Sequence, residues 1–432
     1  MSVRVAMKTL GCKLNFSESA TLERRLAEEG YENVPFSDDA DVYVVNTCAV
    51  TEEAGRKCRY YVHGVRRRHP DARIVLMGCY SALRAEQLQK ELDADLVLGS
   101  NTKFQLPERI PELLAGGTGS FDPACESERD FFGSYSLREE RTRSFLKVQD
   151  GCDYFCTYCT IPLARGRFRS GDLAALLAAA RDIIAHDIRE IVLTGVNIGE
   201  YRGGNGERLI DLLLALTALP GLQRLRISSI EPNLLTDEII ALAADSPVIM
   251  PHFHIPLQSG CDRILERMHR RYNRALYAEK VLQIKQLMPK ALVAADVIVG
   301  FPGETREDFQ ETYDFLDSLP VSALHVFPYS RRPNTPAYGM PDQLSRAEKA
   351  ERVRRLISLS DEKKLALCRL CEGDMVQVLV ESKEKGGFYR GFSENYLKVR
   401  LNCTENAINT IQKVRLAETA AAGTMKGEII DG

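Results

Sequence analysis

The 432-residue sequence lacks any apolar run near the about 18–20 residues that a membrane-spanning helix needs. Its first residues, MSVRVAMKTLGCKLN, lack the long apolar segment of a secretion signal. We therefore expect a cytoplasmic protein with no membrane partner. Strong net charge is also missing, because 57 basic residues face 60 acidic ones. A nucleic-acid partner would have to be held by local basic patches rather than by the overall charge.

Cysteine, in contrast, is abundant, with twelve residues. In a reducing compartment, cysteines bind metal, take part in catalysis or sit in the core more often than they form structural disulfides. The composition, 44% hydrophobic and 27% charged, is that of a globular protein and excludes disordered and collagen-like chains. The length suggests two to four domains.

The order of predicted elements indicates an α/β protein with three parts and one linker. Residues 1–115 alternate strands (3–10, 41–45, 73–77) with helices (17–29, 52–68), which predicts a small parallel-sheet α/β domain. Residues 116–138 contain GGTGS and show no periodicity, as expected of a linker.

Residues 139–367 resume the alternation and predict a full or partial (β/α) barrel. The predicted strands are 144–149, 190–194, 224–228, 250–256, 291–299 and 323–328, with helices that include 173–186, 209–218, 276–287 and 345–367. Chemistry in such a barrel takes place at the C-terminal ends of the strands. Residues 368–432 alternate at period two and predict a small antiparallel β-barrel.

The most specific motif is the CxxxCxxC formed by Cys152, Cys156 and Cys159, directly after the first predicted barrel strand. Three thiolates on one loop can hold three irons of a [4Fe–4S] cluster. The fourth iron is then open to a reacting molecule. A zinc site remains an alternative, although zinc motifs usually pair two such elements with a fourth ligand.

A second set, Cys12, Cys48 and Cys79, is dispersed, but each member stands just after a predicted strand. The C-terminal ends of parallel strands lie on one edge of a sheet, where ligands collect. The three thiols are therefore candidate ligands of a second cluster. The alternative is that they are core cysteines, a common position for free thiols.

The motifs together resemble a known family. TLGCKLN, VVNTCAVT, MGCY, VQDGCDYFCTYCTIPLARGRFRS, IVLTGVNIGEY, RISSIEP, HIPLQSGCDRILERMHRRY, DVIVGFPGET and FPYSRRPNTPA occur in this order. In sequence and order they closely resemble the methylthiotransferases of the radical S-adenosylmethionine (SAM) superfamily, over essentially the whole chain. The resemblance implies an N-terminal methylthiotransferase domain, a radical SAM partial barrel and a C-terminal TRAM domain.

The resemblance also implies cofactors and roles. Cys152, Cys156 and Cys159 would hold a [4Fe–4S] cluster that cleaves SAM to a 5′-deoxyadenosyl radical. Cys12, Cys48 and Cys79 would hold an auxiliary [4Fe–4S] cluster that carries the sulfur to be inserted. SAM would serve as both methyl donor and radical source. An electron donor such as a flavodoxin or ferredoxin, and a sulfur source, would be further partners.

Position in the barrel suggests the contacts to SAM or substrate. The candidates follow the strands or, for the first, precede the third cysteine of the motif: Tyr158, Thr194, Gly195, Asn197, Ser228, Ser229, Glu231, Gln258, Ile298 and Gly300. Asn197 departs from the superfamily, where many members have Glu. The alternative for the polar residues is that they only cap strand ends, and for Gly300 that it only forms a tight turn.

Basic residues with interleaved aromatics can bind phosphates and stack bases of RNA. The candidates are Arg165, Arg167 and Arg169, then Arg270 and Arg271, and in the TRAM-like segment Phe388, Tyr396 and Lys398. The alternative is that the basic stretches are solvated faces. Of the remaining cysteines, Cys58, Cys125 and Cys261 are predicted not to be ligands, and the CxxC of Cys368 and Cys371 is interpreted as incidental.

Among branches of the family, TLGCKLN, TGVNIGEY and QSGCDRILERM most resemble the one that adds a methylthio group to C2 of N6-threonylcarbamoyladenosine beside the tRNA anticodon. Two alternatives keep this chemistry on isopentenyl-adenosine of tRNA or on an aspartyl residue of a ribosomal protein. A third is a non-catalytic iron–sulfur protein that binds RNA.

Overall fold

The computed structural model describes residues 2–48, 52–117, 121–122, 131–137, 142–384, 386–420 and 423–430. It confirms the predicted fold class, with an N-terminal parallel sheet, a central partial barrel and a closed C-terminal β-barrel. Most of the predicted linker, with Cys125, lies outside the described residues. No helix within the described ranges is long and apolar enough to cross a bilayer.

The N-terminal domain is a six-stranded parallel sheet in the order β2-β1-β3-β4-β5-β6. Its central strands are apolar on both faces because helices cover both, so Val42 and Val44 enter one core and Tyr43 and Val45 the other. The elements are β1 (Arg4–Thr9), α1 (Lys13–Glu28), β2 (Glu32–Val34), β3 (Val42–Thr47), α2 (Glu52–Arg68), β4 (Arg73–Gly78), α3 (Cys79–Leu92), β5 (Leu96–Leu98), α4 (Leu106–Leu114) and β6 (Phe121–Asp122). Helix α1 begins four residues before the predicted start, with Cys12 as its N-cap.

The central domain arranges six parallel strands in the order β7-β10-β11-β12-β13-β14. Isolated parallel bridges, among them Ser229–His254, join its two three-stranded sheets into one curved wall. The elements are β7 (Arg143–Lys147), β8 (Gln149–Asp150), α5 (Ile161–Arg165), β9 (Arg169–Ser170), α6 (Leu173–Ala185), β10 (Glu190–Thr194), α7 (Leu209–Thr217), β11 (Arg224–Ile227), α8 (Asp237–Asp245), β12 (His252–His254), α9 (Asp262–Arg267), α10 (Arg274–Leu287), β13 (Leu292–Val299), α11 (Arg306–Ser318), β14 (Ala323–Pro328) and α12 (Arg346–Leu370).

Alternation along these strands separates two faces of the wall. Ile191, Leu225, Phe253 and Val297 point outward into the large core shared with the helices. Their sequence neighbours point to the opposite, inner face, which we call the lumen. Several lumen-facing positions are charged, and part of this interior is filled by a buried ion pair between Glu190 and Arg226 at 2.9 Å.

The C-terminal barrel closes in the order β15-β16-β17-β19-β18, from β15 (Met375–Lys383), β16 (Tyr389–Ser393), β17 (Lys398–Leu401), β18 (Ile411–Ala420) and β19 (Thr424–Ile429). It docks on the N-terminal ends of the central strands. The buried Arg224 guanidinium donates to the carbonyl oxygens of Gln377 (2.7 Å) and Phe392 (3.1 Å). Arg226 donates to the Glu394 carbonyl at 3.0 Å.

A buried ion network joins the N-terminal domain to the central wall. Glu18 of α1 is fully buried, and its carboxylate contacts Lys103, Lys147 Nζ (2.9 Å) and Arg165 Nη1 (3.0 Å). Asp150 accepts from Lys147, Arg165 and Arg169 at 2.7–3.1 Å. The ion pairs of these two carboxylates therefore link the N-terminal domain to the central domain.

Burial alone would raise the pKa of Glu18, but the charges of Arg165, Lys103 and Lys147 outweigh it and hold this pKa well below its ordinary value. The charges of Lys147, Arg165 and Arg169 lower the pKa of Asp150 in the same way against its burial. Both groups remain ionised at neutral pH, so the interface depends on their charge.

Replacing Glu18 with Gln should lower the free energy of unfolding by about 3–5 kcal/mol, because three buried cations lose a partner. Urea denaturation measures this loss. Glu28→Gln, at an exposed position of α1, is the matched control and should change stability by less than about 0.5 kcal/mol.

The depressed pKa of Glu18 also predicts a pH dependence. Its contribution is complete above its unfolded-state pKa of about 4.3 and is lost as pH falls below that value toward the folded-state pKa. The stability difference between the wild type and Glu18→Gln should therefore shrink below about pH 4. A difference that is constant from pH 7 to pH 3 would contradict the assignment.

Candidate functional site

The CxxxCxxC loop connects β8 to α5 at the C-terminal end of the first central strand. Each of its sulfurs accepts a hydrogen bond. The Tyr154 N–H lies 3.4 Å from Cys152 Sγ, and the Ile161 N–H lies 3.5 Å from Cys159 Sγ. Arg270 Nη1 donates to Cys156 Sγ at 3.0 Å. Such donors stabilise thiolates and tune iron–sulfur clusters.

Burial raises the pKa of Cys152 and of Cys159 to about 12. Without a cation these thiols stay protonated at neutral pH, and binding of a metal centre would release their protons. The donor set therefore fits a three-thiolate cluster: three sulfurs on one loop, each with an N–H donor directed at it.

Gly151 fixes the start of this loop. Its φ is +68°, and a Cβ here would lie 1.8 Å from the carbonyl oxygen of Arg167. The two strands of the β8–β9 hairpin can thus approach closely only with glycine at this position. This close approach fixes the position of the backbone at Cys152, the first residue of the cysteine motif.

The second triad lies at one edge of the N-terminal sheet. Cys12 caps α1 after β1, Cys48 follows β3, and Cys79 begins α3 directly after β4. These three strands are neighbours in the sheet, so the thiols share its C-terminal edge. Gly11 packs so closely that a Cβ there would lie 2.9 Å from Cys48 Sγ. The structure brings these three sequence-predicted residues to one place.

Arg165 connects the two triads. It ends α5, the short helix that follows Cys159, and its Nε donates to Cys79 Sγ at 3.2 Å. Its other N–H groups donate to Glu18, Asp150 and Asn15 at 2.7–3.0 Å. All donors of this buried guanidinium are used, one of them on a predicted cluster ligand.

The charge around the second triad also fits a negatively charged group. The network has four basic members (Lys103, Lys147, Arg165 and Arg169) and only two acidic ones (Glu18 and Asp150). A buried surplus of positive charge is costly unless an anion offsets it. The Cys79 sulfur, which accepts a hydrogen bond from Arg165, lies beside this surplus of positive charge.

Gln149 positions the loop after β10. Its Oε1 accepts from the backbone N–H of Val196 (2.9 Å) and of Asn197 (2.7 Å), and its Nε2 donates to the carbonyls of Asp150 and Gly151. Gly195 is required because a Cβ there would lie 2.9 Å from the Gln149 carbonyl oxygen. The loop of Thr194–Asn197 is thereby held against the start of the cysteine loop.

Asn197 is 4% exposed, and neither its Oδ1 nor its Nδ2 makes a hydrogen bond of good geometry with a described residue. The side chains of Tyr154 and Glu200 lie within hydrogen-bonding reach of this amide. The contact of Asn197 with SAM stays a prediction.

Glu231 and Arg270 form an ion pair beside the cysteine loop. Burial raises the pKa of Glu231, while Arg270 opposes the rise. Arg270 also lies 3.3 Å from the Tyr158 hydroxyl. Tyr158 and Ile298 pack in one apolar cluster with Phe301 and Tyr329.

The remaining predicted contacts lie at strand ends around this pocket. Ser228 and Ser229 are half-buried after β11, and Gln258 (φ +65°) donates its N–H to the Asp296 carbonyl. The Gly300 N–H donates to the Glu304 carboxylate, which is paired with Arg352. The structure brings these residues to the same rim, and their roles stay predictions.

Three of the arginines predicted to bind RNA have buried guanidinium groups. Arg165 and Arg169 are at most 8% exposed and bond to carboxylates of the interdomain network. The side chain of Arg270 is paired with Glu231 beside the cysteine loop. Local sequence shows a basic run but not these distant acidic partners, and contact of the three residues with RNA stays a prediction that their burial does not support.

The other residues predicted to contact RNA form two groups, one at a domain junction and one with exposed or half-exposed side chains. Tyr396 stacks on Phe392 and accepts a hydrogen bond from Arg143 at 2.8 Å, which places it at the junction of two domains. The remaining four residues, Arg167, Arg271, Phe388 and Lys398, have exposed or half-exposed side chains. Their contact with RNA stays a prediction.

Sequence reasoning missed Glu18, Lys147 and Asp150. A signal existed for two of them, because Lys147 and Asp150 interrupt an apolar strand pattern directly before the CxxxCxxC. Isolated charges within a buried strand usually have a charged partner. For Glu18 the sequence offers no comparable signal.

Known proteins resemble this chain over its whole length. Residues 4–99 match the model of the Uncharacterized protein family UPF0004, and residues 146–316 match the Radical SAM superfamily. The chain is 38% identical to the threonylcarbamoyladenosine tRNA methylthiotransferase MtaB of Bacillus subtilis (strain 168), over 95% of this chain and 93% of that protein. It is 34% identical to the tRNA-2-methylthio-N(6)-dimethylallyladenosine synthase of Jannaschia sp. (strain CCS1), over 97% and 92%.

Solved structures share the fold. The radical S-adenosylmethionine methyltransferase TsrM from Kitasatospora setae, with tryptophan and a SAM analog bound, aligns with a TM-score of 0.61 at 16% identity, over 78% of this chain and 75% of that one. OxsB, a cobalamin-dependent radical SAM enzyme, aligns with a TM-score of 0.52 at 13% identity, over 83% and 56%. At these identities the likeness concerns the fold alone.

A parallel partial barrel with a three-cysteine loop after its first strand defines the class of radical SAM enzymes. The identities above go further: this chain belongs to the radical SAM tRNA methylthiotransferases. The family prediction is thereby confirmed.

Replacing Gly151 with Ala should displace the β8–β9 hairpin and the cysteine loop, because a Cβ has no room at this position. Gly30→Ala is the matched control, since Gly30 also has a positive φ (+88°) but no atom within 4 Å of its Cβ position. We expect the control to cost about 1–2 kcal/mol and Gly151→Ala to cost clearly more. Thermal unfolding of both variants tests this; equal losses would contradict the steric argument.

Proposed function

We propose that this enzyme adds a methylthio group to C2 of N6-threonylcarbamoyladenosine next to the anticodon of tRNA. The observation that carries the proposal is the pair of cysteine triads, one in each domain, with Arg165, which follows the first triad in the chain, donating to Cys79 of the second. Relatives at 38% identity, named as threonylcarbamoyladenosine tRNA methylthiotransferases, support the choice of substrate.

The proposed cofactors are two [4Fe–4S] clusters and SAM. Cys152, Cys156 and Cys159 would hold one cluster, and Cys12, Cys48 and Cys79 the other. When bound, these groups supply a carbon-centred radical from SAM, a sulfur atom and a methyl group. An electron donor such as a flavodoxin or ferredoxin, and a sulfur source, complete the proposed set of partners.

The protein's own residues orient and protect this chemistry. Arg270 and backbone N–H groups donate to the sulfurs of the first triad, and Arg165 donates to Cys79 of the second. Asn197 offers a buried donor and acceptor at the rim of the first site. Because the ion network locks the two domains together, the separation of the two triads is set before substrate binds.

Binding of tRNA would use exposed aromatic and basic groups. Arg271 stacks over Tyr154, 4.0 Å from its ring centroid, at the edge of the cysteine loop. Phe388 is 39% exposed on the C-terminal barrel, beneath the guanidinium of Arg400. An aromatic ring next to a cation can stack a base and neutralise a phosphate.

Iron content after anaerobic reconstitution tests the two-cluster arrangement. The wild type should bind about eight irons, and triple Ala variants of either triad about four, since each triad would hold one [4Fe–4S] cluster. Cys58→Ala, at a buried cysteine of α2, is the control and should keep about eight. Four irons in the wild type would overturn the second cluster.

The same variants separate the two roles. Cys156→Ala should abolish formation of 5′-deoxyadenosine from SAM, whereas Cys48→Ala should preserve it but stop methylthio insertion into a tRNA anticodon stem–loop. Equal loss of SAM cleavage in both variants would refute this division of labour.

Replacing Asn197 with Ala should weaken SAM binding about tenfold, the effect of one or two lost hydrogen bonds. Equilibrium binding of SAM to the reconstituted protein measures it. Asn205→Ala, in an exposed turn, is the control. Unchanged affinity in Asn197→Ala would contradict the proposed contact with SAM.

A further inference from the structure

The lumen carries two histidines and one aspartate that the proposed cluster and SAM sites do not use. His254 ends β12, Asp296 lies in β13 and His325 lies in β14. These three strands are neighbours in the wall, and Asp296 and His325 are direct partners in the register of β13 and β14. The parallel strands therefore place the three side chains next to one another.

Strand alternation turns all three side chains toward the lumen. Each has a direct sequence neighbour in the core on the outer side of the wall, namely Phe253, Val297 and Leu324. Because successive side chains of a strand point to opposite faces, the histidines and the aspartate point inward. The exposed fraction is 50% for His325 and 21–22% for the other two side chains. The group is thus sheltered by the wall and open on one side.

The two imidazole rings converge on a single oxygen atom. Asp296 Oδ1 lies 2.6 Å from His254 Nε2 and 3.0 Å from His325 Nδ1, and one ligand atom from each residue lies within 4.8 Å of the other two. Ligand atoms around a tetrahedral zinc ion are about 3.3 Å apart, given metal–ligand distances of about 2.0–2.1 Å. The separations in this group bracket that value, so small side-chain rotations would place all three atoms around one cation.

The charge of the group also suits a cation. Burial alone would raise the pKa of Asp296, but hydrogen bonds from the two histidines lower it to about 2. The carboxylate is therefore ionised at neutral pH. A neutral imidazole binds metal through its unprotonated ring nitrogen. On metal binding, each ring would present the nitrogen that now points at Asp296 and carry its proton on the other nitrogen.

We propose that His254, Asp296 and His325 form a binding site for one divalent transition-metal ion such as Zn²⁺. The convergence of both rings on one carboxylate oxygen, rather than on the two oxygens separately, is the observation that carries the inference. Two histidines and one carboxylate hold Zn²⁺ or Fe²⁺ in mononuclear sites that keep coordination positions open. Here an open position would face the lumen and take water or an oxygen atom of a molecule bound there.

The inference goes beyond the proposed function and does not depend on it, because the site uses none of the six cysteines of the two triads. Zinc is the suitable probe for two reasons. Its count is separate from that of the cluster iron, and such ligand sets bind Zn²⁺ more tightly than Fe²⁺.

Equilibrium dialysis of the reconstituted full chain against Zn²⁺, followed by elemental analysis, tests the inference. The wild type should hold about one zinc ion per chain with its iron content unchanged, since the three residues form one site. His254→Gln and His325→Gln should each weaken zinc binding by at least about 100-fold, because even residues that only orient a metal ligand contribute about 10–100-fold. His186→Gln is the matched control and should keep the zinc, since its side chain is also 50% exposed and lies 3.6 Å from an aspartate oxygen.

X-ray absorption at the zinc edge of the wild type adds a measurement that needs no variant. Nitrogen and oxygen ligands at about 2.0–2.2 Å are expected, whereas zinc bound at a cysteine triad would show sulfur at about 2.3 Å. Three results would each overturn the inference. They are a wild type that binds no zinc, a zinc ion with sulfur ligands, and zinc affinity that is unchanged in both histidine variants.

Discussion

The structure depends on one buried guanidinium. Arg165 donates to Glu18 of the N-terminal domain, to Asp150 of the central domain and to Cys79 of the second triad, all at 3.0–3.2 Å. Removing any partner would leave a desolvated charge, so the contacts form together or not at all. The same guanidinium therefore stabilises the interface between the two domains and determines the electrostatic environment of a predicted cluster ligand.

This arrangement serves a reaction between two sites better than an apolar interface would. Apolar surfaces can slide, whereas a guanidinium with every N–H used has one orientation. Helix α5 is five residues long and carries Cys159 just before it and Arg165 at its end. One short helix thus follows the first triad and ends in the arginine that contacts the second.

Tyr158 and Ile298 pack in one apolar cluster with Phe301 and Tyr329 beside the first triad. The family identity alone leaves the N6 substituent open, since relatives named for two different substituents are 38% and 34% identical to this chain.

The sequence by itself determined the α/β fold class and the family, because strand–helix alternation and the CxxxCxxC are local patterns that can be recognised without coordinates. It missed the start of α1, where Cys12 caps the helix, and the carboxylate partners of Arg165, Arg169 and Arg270. A basic run is the same in sequence whether it meets phosphate or carboxylate. Only tertiary structure brought Glu18, Asp150 and Glu231 to these arginines and His254, Asp296 and His325 to one point, since their partners are 15 to 147 residues apart.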